Sequence, residues 1–105
     1  MNKFTVNLTS DFENELDVIY FKLLFANHST MSAKQFFYKV RKSVLELNEF
    51  SERYSRLSNY GKARELNIRR LLIENYIIIY RVDNERQQVF ILHIFHSSQN
   101  YLDKL

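Results

Sequence analysis

The chain has 105 residues, of which 46% are hydrophobic, 15% aromatic and 26% charged. That is the composition of one globular domain spanning 1–105, not of a disordered tail. It has no Cys, no Pro, one Gly (Gly61) and a net charge of +3. Disulfides, thiolate metal sites and glycine-rich phosphate loops are therefore excluded, and the mild positive charge permits an acidic or nucleic-acid partner without demanding one.

The N-terminus runs straight into alternation rather than into an apolar stretch, so no signal peptide is read there. The densest apolar stretch, Tyr76 to Tyr80, is far shorter than the roughly 20 residues that span a bilayer. A cytoplasmic protein without membrane contact is expected. From Lys3 to Leu8, Phe4, Val6 and Leu8 alternate with polar residues, which reads as a half-buried strand. Ser10 and Glu13 then have the spacing of a capping box, and Phe12, Leu16, Ile19, Tyr20, Leu23 and Leu24 follow at helical spacing up to about Ala26–Asn27. Ser32 and Gln35 form a second such box, followed by Phe36, Phe37, Val40, Val44 and Leu47. The short link between the two helices favours an antiparallel hairpin. Phe50 to Arg64 is polar and irregular and reads as a loop.

Three strands are expected in the last third: Arg64 to Ile73, Tyr76 to Val82 and Gln88 to His96, joined by Glu74-Asn75 and by Asn84 to Gln87. Ser97 to Leu105 reads as a short helix or an ordered extension. The fold class is therefore α+β, in the order β-α-α-β-β-β. A helical hairpin packs on one face of a mainly antiparallel four-stranded sheet.

The turns fix an expected register. Arg69 faces Tyr80, Arg70 faces Ile79, Val82 faces Val89 and Ile79 faces Leu92. Pleating then places Leu71, Ile73, Tyr76, Ile78, Tyr80, Val82, Val89, Ile91, His93 and Phe95 on one face. Ile68, Arg70, Leu72, Ile77, Ile79, Arg81, Phe90, Leu92, Ile94 and His96 fall on the other. Both faces are apolar at the centre, yet two helices cover only one. Ile77, Ile79, Leu92 and Ile94 would stay uncovered, each worth roughly 1.5–3 kcal/mol when fully buried. Such a patch marks a partner surface, unless the 50–64 loop or the tail folds over it.

Asn75-Tyr76-Ile77-Ile78-Ile79-Tyr80-Arg81-Val82-Asp83 resembles the third-strand signature of the ParE/RelE toxin superfamily. Val89-Phe90-Ile91-Leu92-His93-Ile94-Phe95-His96 resembles its last strand, which in the ParE branch often closes on an Ile-His or Leu-His pair. Arg69-Arg70-Leu71 before the turn also fits, and the element order is that of the superfamily. The resemblance implies the toxin of a type II toxin–antitoxin system, bound in a hetero-oligomer by a cognate antitoxin whose extended or helical segment wraps the toxin or adds a strand to its sheet. It implies one of two targets, DNA gyrase for the ParE branch or ribosome-bound mRNA for the RelE nucleases.

The nuclease pattern is incomplete here. Ile77 stands where an Arg is expected, Ser97-Ser98-Gln99-Asn100 lacks the late Arg, and Tyr101 is out of step with the late Tyr. The ParE pattern also departs, because Gly and Arg often follow its terminal His. The reading leans to a non-enzymatic gyrase inhibitor needing no cofactor. Arg81, Arg70 and His96 are the weak candidates for acid–base and phosphate chemistry if it is instead a nuclease. The antitoxin or target surface is expected at Arg70, Leu72, Ile77, Ile79, Arg81, Phe90, Leu92, Ile94, His96 and Tyr101. His96 reads more readily as a hydrogen-bonded strand-end residue, and His93 as a residue at the core edge. The two point to opposite faces, so no metal site is read.

Overall fold

Alternation in the first strand and helical spacing after it set the layering, and the computed structural model follows both. It describes residues 3–26, 30–52, 54 and 67–99. The elements are β1 (Thr5–Leu8), α1 (Ser10–Ala26), α2 (Thr30–Leu45), a 3-10 turn (Glu46–Asn48), β2 (Ile68–Ile73), β3 (Tyr76–Asp83) and β4 (Gln88–His96). The sheet order is β1-β4-β3-β2. β1 is parallel to β4, and the other pairings are antiparallel. This is the expected architecture, a mostly antiparallel sheet with the helical hairpin on one face.

The helix-side core explains that arrangement. Phe12, Leu16 and Ile19 of α1 and Phe36, Val40 and Val44 of α2 are buried against Leu71, Ile78, Tyr80, Val89, Ile91 and Ile94. Phe4, just ahead of β1, and Val6 and Leu8 within it pack against the same cluster, as their alternation requires.

Helix starts differ from the expected capping boxes. α1 is capped by Thr9: its hydroxyl accepts the Phe12 N–H at 3.2 Å and its carbonyl accepts the Glu13 N–H at 3.0 Å. Thr9 also donates its hydroxyl to the Ile91 carbonyl at 2.6 Å. This second partner on β4, invisible in the local sequence, favours Thr9 over Ser10. α2 begins at Thr30, ahead of Ser32.

The β2–β3 register is as expected, with Ile73 opposite Tyr76 and Glu74-Asn75 between them. Gly61 is the only glycine, and Asn67, Glu74 and Gln87 themselves take left-handed backbone conformations at φ 54, 53 and 54°, each at the approach to or inside a turn.

Between β3 and β4 the register is corrected. Val82 does face Val89, but Tyr80 pairs with Ile91 and Ile79 pairs with His93, leaving Leu92 as a bulge. One extra residue inverts the alternation beyond it. Ile94 and His96 therefore move to the helix side, and His93 and Phe95 to the other. β2 starts later than Arg64, at Ile68. Residues 64–66 and 100–105 lie outside the described residues, so the tail reading beyond Gln99 does too.

Candidate functional site

The second face of the sheet was expected to carry an open apolar patch. Its centre is instead a small buried cluster of Ile68, Ile77, Ile79 and Phe95, with Leu92 packed alongside. Ile79 is 0% exposed and Ile77 6%. The expectation that Ile77, Ile79 and Ile94 stay uncovered is thus corrected: the single chain buries the first two, and the bulge turns Ile94 into the helix-side core, where it is 2% exposed. What reaches solvent here is the surround. Leu72 is 63% exposed, Arg70 is exposed, and Arg81, Phe90 and Leu92 are half-buried. The Arg81 guanidinium lies over the Phe90 ring, 4.9 Å from its centroid, a cation–π contact that fixes a long side chain on its cross-strand partner. Arg70 pairs with Ile79 and Arg81 with Ile68, so the two arginines share this face on neighbouring strands.

His96 does not join them. It pairs with Tyr76, and the two rings meet edge-on at 5.3 Å. Tyr76 packs on Phe36 of α2 at 5.0 Å, which places the histidine on the helix side. Burial first, and the neighbouring Glu74 carboxylate second, raise the Tyr76 phenol above its ordinary value. The His96 Nδ1 accepts the Ser98 N–H at 3.1 Å and lies 2.7 Å from the Ser98 hydroxyl, while the His96 N–H is donated to the Gln99 side chain at 2.8 Å. This is the hydrogen-bonded strand end expected of it. The trio Arg81, Arg70 and His96 is split between two faces of the sheet and forms no single acid–base site. Tyr101 lies outside the described residues.

Arg69 points to the helix side and is 8% exposed. It donates to the Glu52 carboxylate at 2.9 Å, to the Tyr54 and Glu52 carbonyls at 2.7 and 3.2 Å and to the Asn67 side chain at 3.1 Å. Beside it the Tyr80 hydroxyl donates to the Ser51 carbonyl at 2.9 Å, and burial pushes the phenol up to about 12, against a smaller lowering by Arg69. These two side chains pin the segment after α2 onto β2 and β3.

His93 sits at the edge of β4, stacked on Phe95 at 5.0 Å and held by the Glu15 carboxylate of α1 at 3.1 Å. Among the described residues no cluster has the makings of a metal site, and no helix is long and apolar enough to cross a membrane.

Most of the exposed large apolar side chains among the described residues are on the helices. Val18, Phe21 and Phe25 of α1 are 53, 54 and 69% exposed, and Tyr38 and Leu45 of α2 are 68 and 52% exposed. Phe21 and Phe25 stack at 6.5 Å. Tyr20, Lys34, Phe37, Tyr38 and Arg41 line a groove of about 310 Å³ between the helices, and Arg41 lies 5.7 Å over the Phe37 ring. Lys39, Arg41 and Lys42 of α2 are exposed, with aromatic rings interleaved. Sequence reasoning passed over Val18, Phe21 and Phe25. The signal was present, since they stand three and four residues apart and form a second stripe beside the core stripe.

Residues 6–101 match the family model described as the ParE toxin of type II toxin-antitoxin system, parDE. No curated protein sequence matches. Among solved structures, one from the chromosomal ParDE TA system of P. aeruginosa superposes with a TM-score of 0.73 at 18% identity, covering 91% of this chain and 98% of that one. Another, from the toxin-antitoxin complex RelBE2 of Mycobacterium tuberculosis, gives 0.60 at 23% identity, covering 90% of this chain and 98% of that one. At these identities the likeness speaks for the fold.

Proposed function

The chain belongs to the ParE toxin family of type II toxin–antitoxin systems, and from that premise we propose that it arrests growth in the cytoplasm by inhibiting DNA gyrase and is neutralised by a cognate antitoxin. The observation that carries the proposal is the match over residues 6–101, nearly the whole of the chain. The fold it shares with a structure from a ParDE system, and with one from a RelBE2 complex, supports an antitoxin as partner. The separation of His96 from Arg70 and Arg81 favours the gyrase reading over cleavage of RNA, which needs acid, base and cation around one phosphate.

The proposed antitoxin or target surface keeps the accessible part of the expected set, Arg70, Leu72, Arg81, Phe90 and Leu92. It extends to the exposed apolar stripe of the helical hairpin, because contiguous apolar surface of this kind marks partner contact. Ile77, Ile79 and Ile94 act beneath it as packing.

A ribosome-dependent nuclease is the second reading, favoured by the two arginines on one face. Induction of the chain in a growing host separates the two. The proposal expects growth arrest with DNA-damage signalling and intact mRNA, relieved by co-expression of the antitoxin encoded beside it. Cuts within codons, lost in Arg81→Ala, would establish the nuclease instead, and normal growth would mark the chain as an inactive relative.

A further inference from the structure

β4 spans Gln88–His96, but β1 pairs only with Gln88 to Ile91. Beyond that, among the described residues, the outer edge of β4 has no neighbouring strand. The part left without a strand, Leu92-His93-Ile94-Phe95-His96, has no Gly, no Pro and no Asp, Glu, Lys or Arg. An apolar, β-prone and nearly uncharged stretch at a strand edge is a template for pairing with its own kind.

Side chains occupy that edge in place of a strand. Thr9 donates its hydroxyl to the Ile91 and Leu92 carbonyls at 2.6 and 3.2 Å. Glu15, nearly two turns into α1, accepts the Ile94 N–H at 3.1 Å, and its two oxygens lie 3.2 and 3.1 Å from Nδ1 of His93. Gln99 accepts the His96 N–H at 2.8 Å. A carboxylate only accepts, so Nδ1 carries the proton in that pair. Ile94 is the middle position of the open half, and its amide is met by the one charged group among these caps.

We propose that Glu15 is a guard on this edge, keeping β4 of one molecule from pairing with β4 of a second copy of the same chain. Antiparallel pairing of two identical edges about Ile94 is self-complementary and closes on a twofold axis. The carboxylate prevents it by taking the central amide and by setting a charge where the second strand would lie.

The test compares the full-length chain with Glu15→Ala, Glu15→Gln and Glu15→Ala/His93→Lys, by amide exchange at Ile94 in dilute solution and by mass across a concentration series. The wild-type chain is expected to keep one mass and a protected Ile94 amide. Glu15→Ala should exchange Ile94 about tenfold faster or more and gain mass with concentration. Glu15→Gln, which still offers an oxygen to the amide, should stay close to wild type. The double variant restores a charge on the strand and should return to a single mass. Glu15→Ala that keeps wild-type mass, with or without faster exchange, overturns the proposal. So does self-association that persists in the double variant, since it would then come from misfolding.

Discussion

On the helix side of the sheet, Ile78, Tyr80, Val89 and Ile91 are all 0% exposed, beneath two helices that bring Phe12, Phe36, Val40 and Val44. On the other side, Ile68, Ile77, Ile79 and Phe95 form a cluster of four ringed by Arg70, Leu72, Arg81 and Phe90. Both centres are dry, but they differ in what stands around them. The helix side is continuous apolar packing tied down by two buried polar anchors, Arg69 and Tyr80. The second side is a small apolar island under a cationic and aromatic rim. Strand composition alone did not separate them, since both rows read as apolar. The separation comes from how much apolar partner surface each row meets.

Ile78→Ala against Ile79→Ala breaks or sharpens this contrast most directly. Both side chains are fully buried. Ile78→Ala should cost about 3–5 kcal/mol because the layered core relaxes little, and Ile79→Ala about 2–3 kcal/mol because a small cluster collapses more readily. Urea denaturation measures both, and equal costs would make the second side a core of the same rank.

Arg69→Ala comes next. It removes the Arg69 hydrogen bonds to the Tyr54 and Glu52 carbonyls and the ion pair with the Glu52 carboxylate. Because Glu52 remains about half exposed, the expected cost is about 2–3 kcal/mol rather than the full cost of breaking a buried ion pair.

Tyr80→Phe should cost about 1 kcal/mol near neutral pH for the lost hydrogen bond to Ser51. It also has a pH signature. The folded phenol is raised from 10.0 to about 12, so the unfolded chain releases that proton first as pH rises. The stabilisation tied to the neutral phenol is complete below pH 10 and is lost as pH climbs toward 12, on the order of 2 kcal/mol in all. Thermal melts of the wild-type chain should show this alkaline decline in excess of the Phe variant.

Leu72→Asp, on the rim, should change stability by no more than about 0.5 kcal/mol, while weakening antitoxin binding in a titration if the rim is part of the proposed contact.

Most of the layering was legible because the periodic signals were strong. Phe4, Val6 and Leu8 alternate, Phe12, Leu16 and Ile19 recur at helical spacing, and Glu74-Asn75 sets the β2–β3 register. The bulge at Leu92 was not legible, because no glycine or turn residue marks it and it arises from the pairing of two distant segments. That single residue reassigned His93, Ile94, Phe95 and His96, and with them the supposed Arg70–Arg81–His96 grouping. Thr9 won the cap over Ser10 through a bond to Ile91, again a tertiary effect. The partners of Arg69 come from a segment whose sequence is irregular, so only its direction could be anticipated. The second stripe on α1 was legible and was overlooked in favour of the core stripe beside it.

The most direct test of the functional account is a supercoiling assay with purified chain and purified DNA gyrase. The account predicts that the chain abolishes supercoiling in proportion to its concentration and that pre-mixing with antitoxin restores it. Full supercoiling activity at saturating chain, from a preparation that arrests growth in the host, would contradict gyrase as the target.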